Sequence, residues 1–143
     1  MTDKLKRTYF AFLVPAILGF TLIGGAKVYG FNEVGSANFS QVAGPLIFIL
    51  CIALTVAFPI FYRTLFAHKN RDLISVSDKK LLKFERTLIN VVMITPYLAL
   101  VAYFFVLPRF YTAGAFLLAL YAVYYFYPSK VRVAFERRIF RVK

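Results

Sequence analysis

The sequence predicts an all-α integral membrane protein, a four-helix transmembrane bundle with both termini in the cytoplasm. Two observations carry this prediction: long uncharged apolar segments, and a basic charge that falls almost entirely on one side of the resulting topology. Of 143 residues, 61% are hydrophobic and 19% aromatic, whereas a soluble domain is about half apolar. We expect one domain, 1–143, with no internal repeat.

Four uncharged runs are each long enough to cross the hydrocarbon core of a bilayer, which takes about 20 apolar helical residues. We therefore predict transmembrane helices at 9–28, 42–62, 87–107 and 110–127. The first begins with basic residues and contains a small-residue site, as secretory signals do, but its uncharged run is long for a signal core. We expect this segment to remain in the protein.

The basic residues orient these spans. Sixteen of the eighteen Lys and Arg residues lie at the amino end, in the central loop at 63–86 or in the tail at 129–143. The opposite side carries only Lys27 and Arg109. Since Lys- and Arg-rich loops stay in the cytoplasm, we expect both termini and the central loop to be cytoplasmic. The expected location is a plasma membrane, with the bacterial inner membrane as the favoured case.

Turn and cap residues define the connections. Gly, Ser and Asn residues favour turns in the first connection, at 29–41, where Glu33 is expected to pair with Lys27. Ser77 is a good N-cap for a helix that continues into the third span, with Asp78 in its first turn. Pro108 and Arg109 leave almost no loop between the third and fourth spans, so these helices must be neighbours, and residues whose numbers sum to about 217 lie at one depth.

The tail pattern is typical of an interfacial amphipathic helix. Its predicted apolar face holds Val131, Phe135, Ile139 and Val142. Tyrosines at the predicted span ends indicate an aromatic belt. These are Tyr9, Tyr29, Tyr62, Tyr111 and Tyr127.

Pro96 breaks the backbone hydrogen bonding of the third span, because it has no N–H to donate to the Val92 carbonyl. We hypothesise that a nearby hydroxyl serves this region. The candidates are Thr95, Tyr121, Tyr124 and Tyr125. Asn90, an amide in the same span, is expected to bond within the bundle rather than to a ligand.

Several function classes are disfavoured. No ionisable residue falls in the core of any predicted span, which argues against a proton-coupled transporter or a small multidrug exporter. The single cysteine, Cys51, excludes an internal disulfide or a thiol relay, and we expect it to be a packing residue. The single histidine, His68, excludes a haem held by two histidines of one chain. We therefore expect no catalytic residue, metal or cofactor.

The basic side is the one candidate site, because juxtamembrane Lys and Arg attract anionic lipid headgroups or an acidic partner. The predicted lipid or partner contacts are Arg63, Lys69, Arg71, Lys79, Lys80, Lys83, Arg86, Lys130, Arg132, Arg137, Arg138 and Arg141. The five acids on this side are expected in local charge pairs and helix caps. They are Asp3, Asp72, Asp78, Glu85 and Glu136. Positive charge that merely sets topology is the alternative, and nucleic acid is not an expected partner.

The leading hypothesis is a non-enzymatic accessory or scaffold subunit of a larger membrane complex, in contact with anionic lipids and other membrane subunits. A small oligomeric transporter or channel for a solute or lipid is the alternative. A membrane enzyme acting on lipids is a third, weaker possibility.

Overall fold

The computed structural model describes residues 1–30, 37–71 and 75–142, and these form an all-helical protein, as predicted. The helices, in chain order, are α1 Thr2–Val28, α2 Ala37–Ile52, α3 Phe58–Lys69, α4 Asp78–Val92, α5 Thr95–Phe104, α6 Arg109–Tyr125 and α7 Lys130–Ile139. A π-helical segment, Ala53–Ala57, joins α2 to α3.

Three helical stretches of the described chain are long and apolar enough to cross a membrane: Thr2–Val28, Gln41–Lys69 and Asp78–Phe104. The number becomes four if α6 and α7, which meet at 78°, are taken as one broken span. The chain is thus a multi-pass membrane protein. The 17 residues of α6 form about 25 Å of helix, slightly less than the roughly 30 Å core that the predicted fourth span must cross.

Two prolines interrupt the second and third spans. Pro59 has no backbone N–H, and the preceding turn widens into the π-helical segment, where the Phe58 N–H donates to the Ala53 carbonyl five residues back. Pro96, at the start of α5, follows the break that separates α4 from α5. The π-helical segment was not predicted, whereas an irregularity of the third span near Pro96 was.

The two interruptions are joined by a hydrogen bond. The Thr55 and Thr95 hydroxyl oxygens lie 2.8 Å apart, and both side chains are buried. Thr55 belongs to the π-helical segment, and Thr95 is the first residue of α5. A polar pair therefore links the second and third spans where their backbones are irregular.

The predicted depth register of the third and fourth spans is close to the observed one, but the predicted face is wrong. Val92 packs with Ala122 and Phe126, near the expected sum. Alanines at positions 115, 119 and 122 of α6 face the core. The outward residues are Tyr121, Tyr124 and Tyr125, all exposed. Small residues allow close backbone approach in membrane helices, so alanines rather than tyrosines occupy the interior.

Two glycines allow aromatic rings to pack between α2 and α6. A Cβ at Gly44 of α2 would lie 2.6 Å from the Tyr111 ring of α6. A Cβ at Gly114 of α6 would overlap the Phe48 ring of α2. Each glycine thus leaves space for an aromatic ring of the facing helix, and the two backbones can lie close together.

Tyrosine hydroxyls attach α1 to the other helices. Tyr9 donates to the Val123 carbonyl at 2.7 Å, and Tyr97 donates to the Phe12 carbonyl at 2.6 Å. Val123 lies in the last turn of α6, where backbone carbonyls have no helical partner. Tyr9 was predicted to belong to an exposed aromatic belt, but it is buried.

The tail forms the predicted helix, α7, and its apolar stripe is uncovered. Val131 is 81% exposed, and Phe135 and Ile139 are also exposed. Val133 faces inward. Val142 does not continue the stripe as predicted: it lies beyond α7, packs beside α4 and forms a β-bridge with Val76.

Candidate functional site at the basic end

The predicted contact cations gather at one end of the bundle, which we call the basic end: the start of α1, the end of α3, the start of α4 and α7. Ten of the twelve are exposed, and the exceptions, Arg63 and Arg132, are partly buried. Three of the twelve form ion pairs within the described chain. These pairs are Arg63–Glu136, Arg132–Glu85 and Arg137–Asp78.

Two of these pairs form a buried charge cluster, Arg63, Glu85, Arg132 and Glu136. The carboxylates are almost inaccessible, with Glu85 2% exposed and Glu136 4%. Both acids are charge-paired, as expected, but their partners lie on other helices and are not neighbours in the sequence. The cluster therefore ties α3, α4 and α7 together at the basic end. Asp72, another of the acids predicted for this side, lies outside the described residues.

Arg132 is the centre of this cluster. Its guanidinium lies 3.2 Å from the Glu85 carboxylate, donates to the Tyr125 carbonyl at 3.2 Å and stands over the Phe126 ring at 5.0 Å. Its backbone N–H donates to the hydroxyl of Ser129, the N-cap of α7. The cation thus sits at the carboxyl end of α6, where the helix dipole is negative.

The charge cluster is not fully hydrogen-bonded. Glu85 Oε1 and Arg63 Nε are buried, and neither has a hydrogen-bond partner among the described residues. A buried charge pair is stable only when good geometry and further hydrogen bonds offset its desolvation. Removal of any one cation from this cluster is therefore expected to be costly.

A second feature of the basic end is a pocket of about 530 Å³ between the end of α3 and the start of α4. We call it the lysine pocket. Its cationic lining comes from Lys69, Lys80 and Lys83, with His68 beside them. All four side chains are exposed. None of the three lysines forms an ion pair with a described residue, in contrast to the arginines of the charge cluster.

The floor of the lysine pocket is aromatic. Tyr62, Phe66 and Phe84 line it, and the Phe84 ring stacks on Tyr62 at 5.1 Å and on Phe66 at 4.2 Å. Phe140, which follows α7, packs edge-on against Phe66 and Phe84. The pocket therefore combines an exposed cationic rim with a base of stacked aromatic rings.

A smaller cleft of about 350 Å³ lies between α1 and α4. Arg7, Arg86 and Asn90 line it. The Asn90 Oδ1 atom is buried without a hydrogen-bond partner in the described part of the chain, so the internal bond expected for this amide is not found. Arg86 is thus the one predicted contact residue that the structure places in this cleft.

Of the remaining intramembrane candidates, Thr95 lies at the Pro96 break, whereas the tyrosines lie on the outer side of α6. Tyr121 and Tyr125 stack on each other at 5.2 Å on the outer side of α6. Thr95 bonds to Thr55. Within the described residues, no hydrogen bond joins a predicted hydroxyl to the Val92 carbonyl, but Thr95, one of the predicted candidates, serves the break through its bond to Thr55.

At the opposite end, Lys27 and Arg109 line one cavity of about 370 Å³, whose walls are mainly apolar. Lys27 donates to the Tyr103 carbonyl and lies 3.9 Å above the Tyr103 ring. Glu33, the predicted partner of Lys27, lies outside the described residues. The two cations that the sequence separated from the rest are thus brought together.

Within residues 1–30, 37–71 and 75–142, no three His, Cys, Asp or Glu side chains are grouped as metal ligands would be. Cys51 is buried in a small-residue core with Ala99 and Ala115. Comparison of the chain with protein-family models, with curated proteins and with solved structures gave no match.

Proposed function

We propose that this protein is a non-enzymatic accessory subunit of a larger membrane complex, and that its basic end binds anionic lipid at the cytoplasmic leaflet. The proposal rests on a contrast between the hydroxyl groups of the spans, which are bonded within the chain, and the lysines of the basic end that line the lysine pocket, which form no ion pair with a described residue. The buried hydroxyls of the spans bond to other helices of the same chain, as in the Thr55–Thr95 pair. Unpaired positive charge is concentrated at the basic end, in Lys69, Lys80 and Lys83.

This contrast favours a structural role over chemistry inside the membrane. Hydroxyls that join helices stabilise packing, whereas a transport path or an active site needs polar groups that face a cavity. Among the polar residues described for the spans, Asn90 is the exception, because it lines the cleft between α1 and α4. At the basic end, the acids Asp78, Glu85 and Glu136 are already paired with arginines. The pocket lysines thus have no paired acid among the described residues, and an anionic leaflet supplies the counter-charge.

The topology belongs to the same proposal. We place α6 across the membrane as a fourth span, with both termini cytoplasmic, as the distribution of Lys and Arg favours. The 78° bend then lays α7 along the membrane surface. There the exposed Val131, Phe135 and Ile139 can enter the acyl region, as amphipathic interfacial helices do.

The test is the composition of the native particle. The tagged chain, expressed at its natural level, is extracted with its surrounding lipid and analysed by native mass spectrometry. We expect stoichiometric foreign subunits and an enrichment of anionic lipid over the bulk membrane. Recovery of the chain alone, or with a bulk lipid composition, would overturn the proposal.

One observation favours a small transporter or channel as a second candidate. The π-helical segment Ala53–Ala57 faces the α4–α5 break through Thr55 and Thr95, and irregular helices near the membrane midplane are typical of transporters. A homo-oligomer with a polar central path would support this candidate. A particle that contains this chain once, among other subunits, would exclude it.

A further inference from the structure

On the proposed topology, the lysine pocket lies at the depth of the lipid headgroups. The stretch Gln41–Lys69 has 29 residues, about 43 Å of helix, which exceeds a hydrocarbon core of roughly 30 Å by about two turns. The pocket uses the last turns of this stretch and the first turns of Asp78–Phe104. Its lining is therefore placed where phosphate groups of a membrane lie.

The charges of the pocket are complementary to a phosphate. Lys69 comes from α3, Lys80 and Lys83 come from α4, and no carboxylate lines the pocket in the described chain. The two acids of α4, Asp78 and Glu85, are paired with Arg137 and Arg132. Three ammonium groups without a paired acid repel one another, and an anion between them removes that repulsion.

The apolar part of the pocket distinguishes a lipid from a soluble anion. The Phe66 and Phe84 rings form its base, and the exposed Leu65 is part of its wall. A soluble phosphate uses only the ammonium groups. A phospholipid places its phosphate among the lysines and its glycerol and upper acyl carbons against the rings, so both halves of the lining are used.

We infer that the lysine pocket is a saturable site for the phosphate headgroup of one anionic phospholipid. This inference rests on the proposed function, and it is narrower: the basic end as a whole attracts an anionic leaflet, but this pocket holds one lipid in a defined position.

The test compares two pairs of substitutions with the same change in net charge. The first, Lys80→Gln with Lys83→Gln, removes two cations of the pocket. The second, Lys79→Gln with Lys130→Gln, removes two exposed cations of the basic end that do not line it. Each full-length protein is stripped of lipid in detergent and titrated with phosphatidylglycerol or phosphatidylcholine, and bound lipids are counted by native mass spectrometry.

We expect one tightly bound phosphatidylglycerol in the unsubstituted protein and about thirty-fold weaker binding in the Lys80/Lys83 variant, because two juxtamembrane lysines are lost. The control variant should lose less than about threefold, since its charges act only through the diffuse field. Leu65→Gln, which keeps the charge, should also weaken binding of the lipid. Equal thermal stability of the variants shows that folding is retained.

Other outcomes of the titration separate the pocket inference from the proposed lipid binding. Equal losses in both variants would show a diffuse basic surface: the pocket inference then fails and the proposed lipid binding stands. No preference for phosphatidylglycerol over phosphatidylcholine in the unsubstituted protein would overturn both. If free glycerol phosphate displaces the lipid at equal concentration, the site is one for soluble phosphate esters and the assignment to a lipid is wrong.

Discussion

Arg132→Met should destabilise the protein far more than Arg137→Met, although each removes one guanidinium from α7. Arg132 is 14% exposed and its partner Glu85 is 2% exposed, whereas Arg137 and Asp78 are 43% and 54% exposed. The two ion pairs have the same separation, 3.2 Å. Burial is therefore the main variable in the comparison.

Removing one partner of a buried ion pair costs about 3–5 kcal/mol, because the other charge is left without compensation. Arg63 remains in the charge cluster and offsets part of the free-energy cost of the unpaired Glu85 charge. The contact of Arg132 with the Phe126 ring and its bond to the Tyr125 carbonyl are, however, also lost. We therefore expect about 3–4 kcal/mol for Arg132→Met. For the solvent-exposed Arg137 pair we expect about 0–1 kcal/mol.

Cys51 provides the assay. It is the single cysteine of the sequence and is buried, so a thiol-reactive fluorophore in detergent reports unfolding. For a chain of this length, at about 3 °C per kcal/mol, Arg132→Met should lower Tm by about 10 °C and Arg137→Met by at most about 3 °C. Glu85→Met with Arg132→Met should recover much of the loss, because no buried charge remains. Equal shifts for the two single variants would refute the assignment of a buried cluster.

Three further predictions concern the membrane-embedded part. Thr55→Val and Thr95→Val should show a coupling energy of about 0.6 kcal/mol in a double-mutant cycle of unfolding in detergent, as interhelical hydrogen bonds do in membranes. A coupling energy of zero would contradict a stabilising hydrogen bond between the two hydroxyls. Gly114→Ala should destabilise the protein by about 1–3 kcal/mol, because the added Cβ overlaps the Phe48 ring of α2. Gly25→Ala, which has open space around the added Cβ, should be neutral or slightly stabilising in the same thermal unfolding experiment. In a Cys51→Ala chain, single cysteines introduced at the amino end and in the tail should both react with an impermeant reagent applied to the cytoplasmic face. A cysteine introduced in the first connection should react from the opposite face. Termini labelled from opposite faces would contradict the proposed topology.

The sequence was sufficient to predict an all-helical chain with several helices of membrane-spanning length, because uncharged runs of that length leave little alternative for the backbone. It also predicted the relative depth of Val92 and the end of α6. It did not predict which side of α6 faces inward. In water, apolar residues mark the interior, but in lipid both sides of a helix are apolar and close packing decides. Alanines at positions 115, 119 and 122 were the available signal.

The charge cluster was missed for a different reason. Glu85 and Glu136 lie among basic residues in the sequence, so local pairing was sufficient to explain them. Their actual partners are 47 and 73 residues away, and a single sequence does not reveal pairs at that separation. The available signal was the apolar surroundings of Glu85, which follows Leu81 and Phe84 and precedes Leu88, since a carboxylate on an apolar helix face needs a buried cation.

The charge cluster and the lysine pocket depend on the same element. Arg132 and Glu136 of α7 are held by the cluster, and Phe140, one turn further along, packs against the rings that form the floor of the pocket. Docking of α7 therefore shapes a site that α3 and α4 line. Because linkage is reciprocal, a lipid that binds better to the completed pocket must also favour the docked position of α7. The arginines of the charge cluster thus hold α7 against the bundle, whereas the pocket lysines form no ion pair with a described residue.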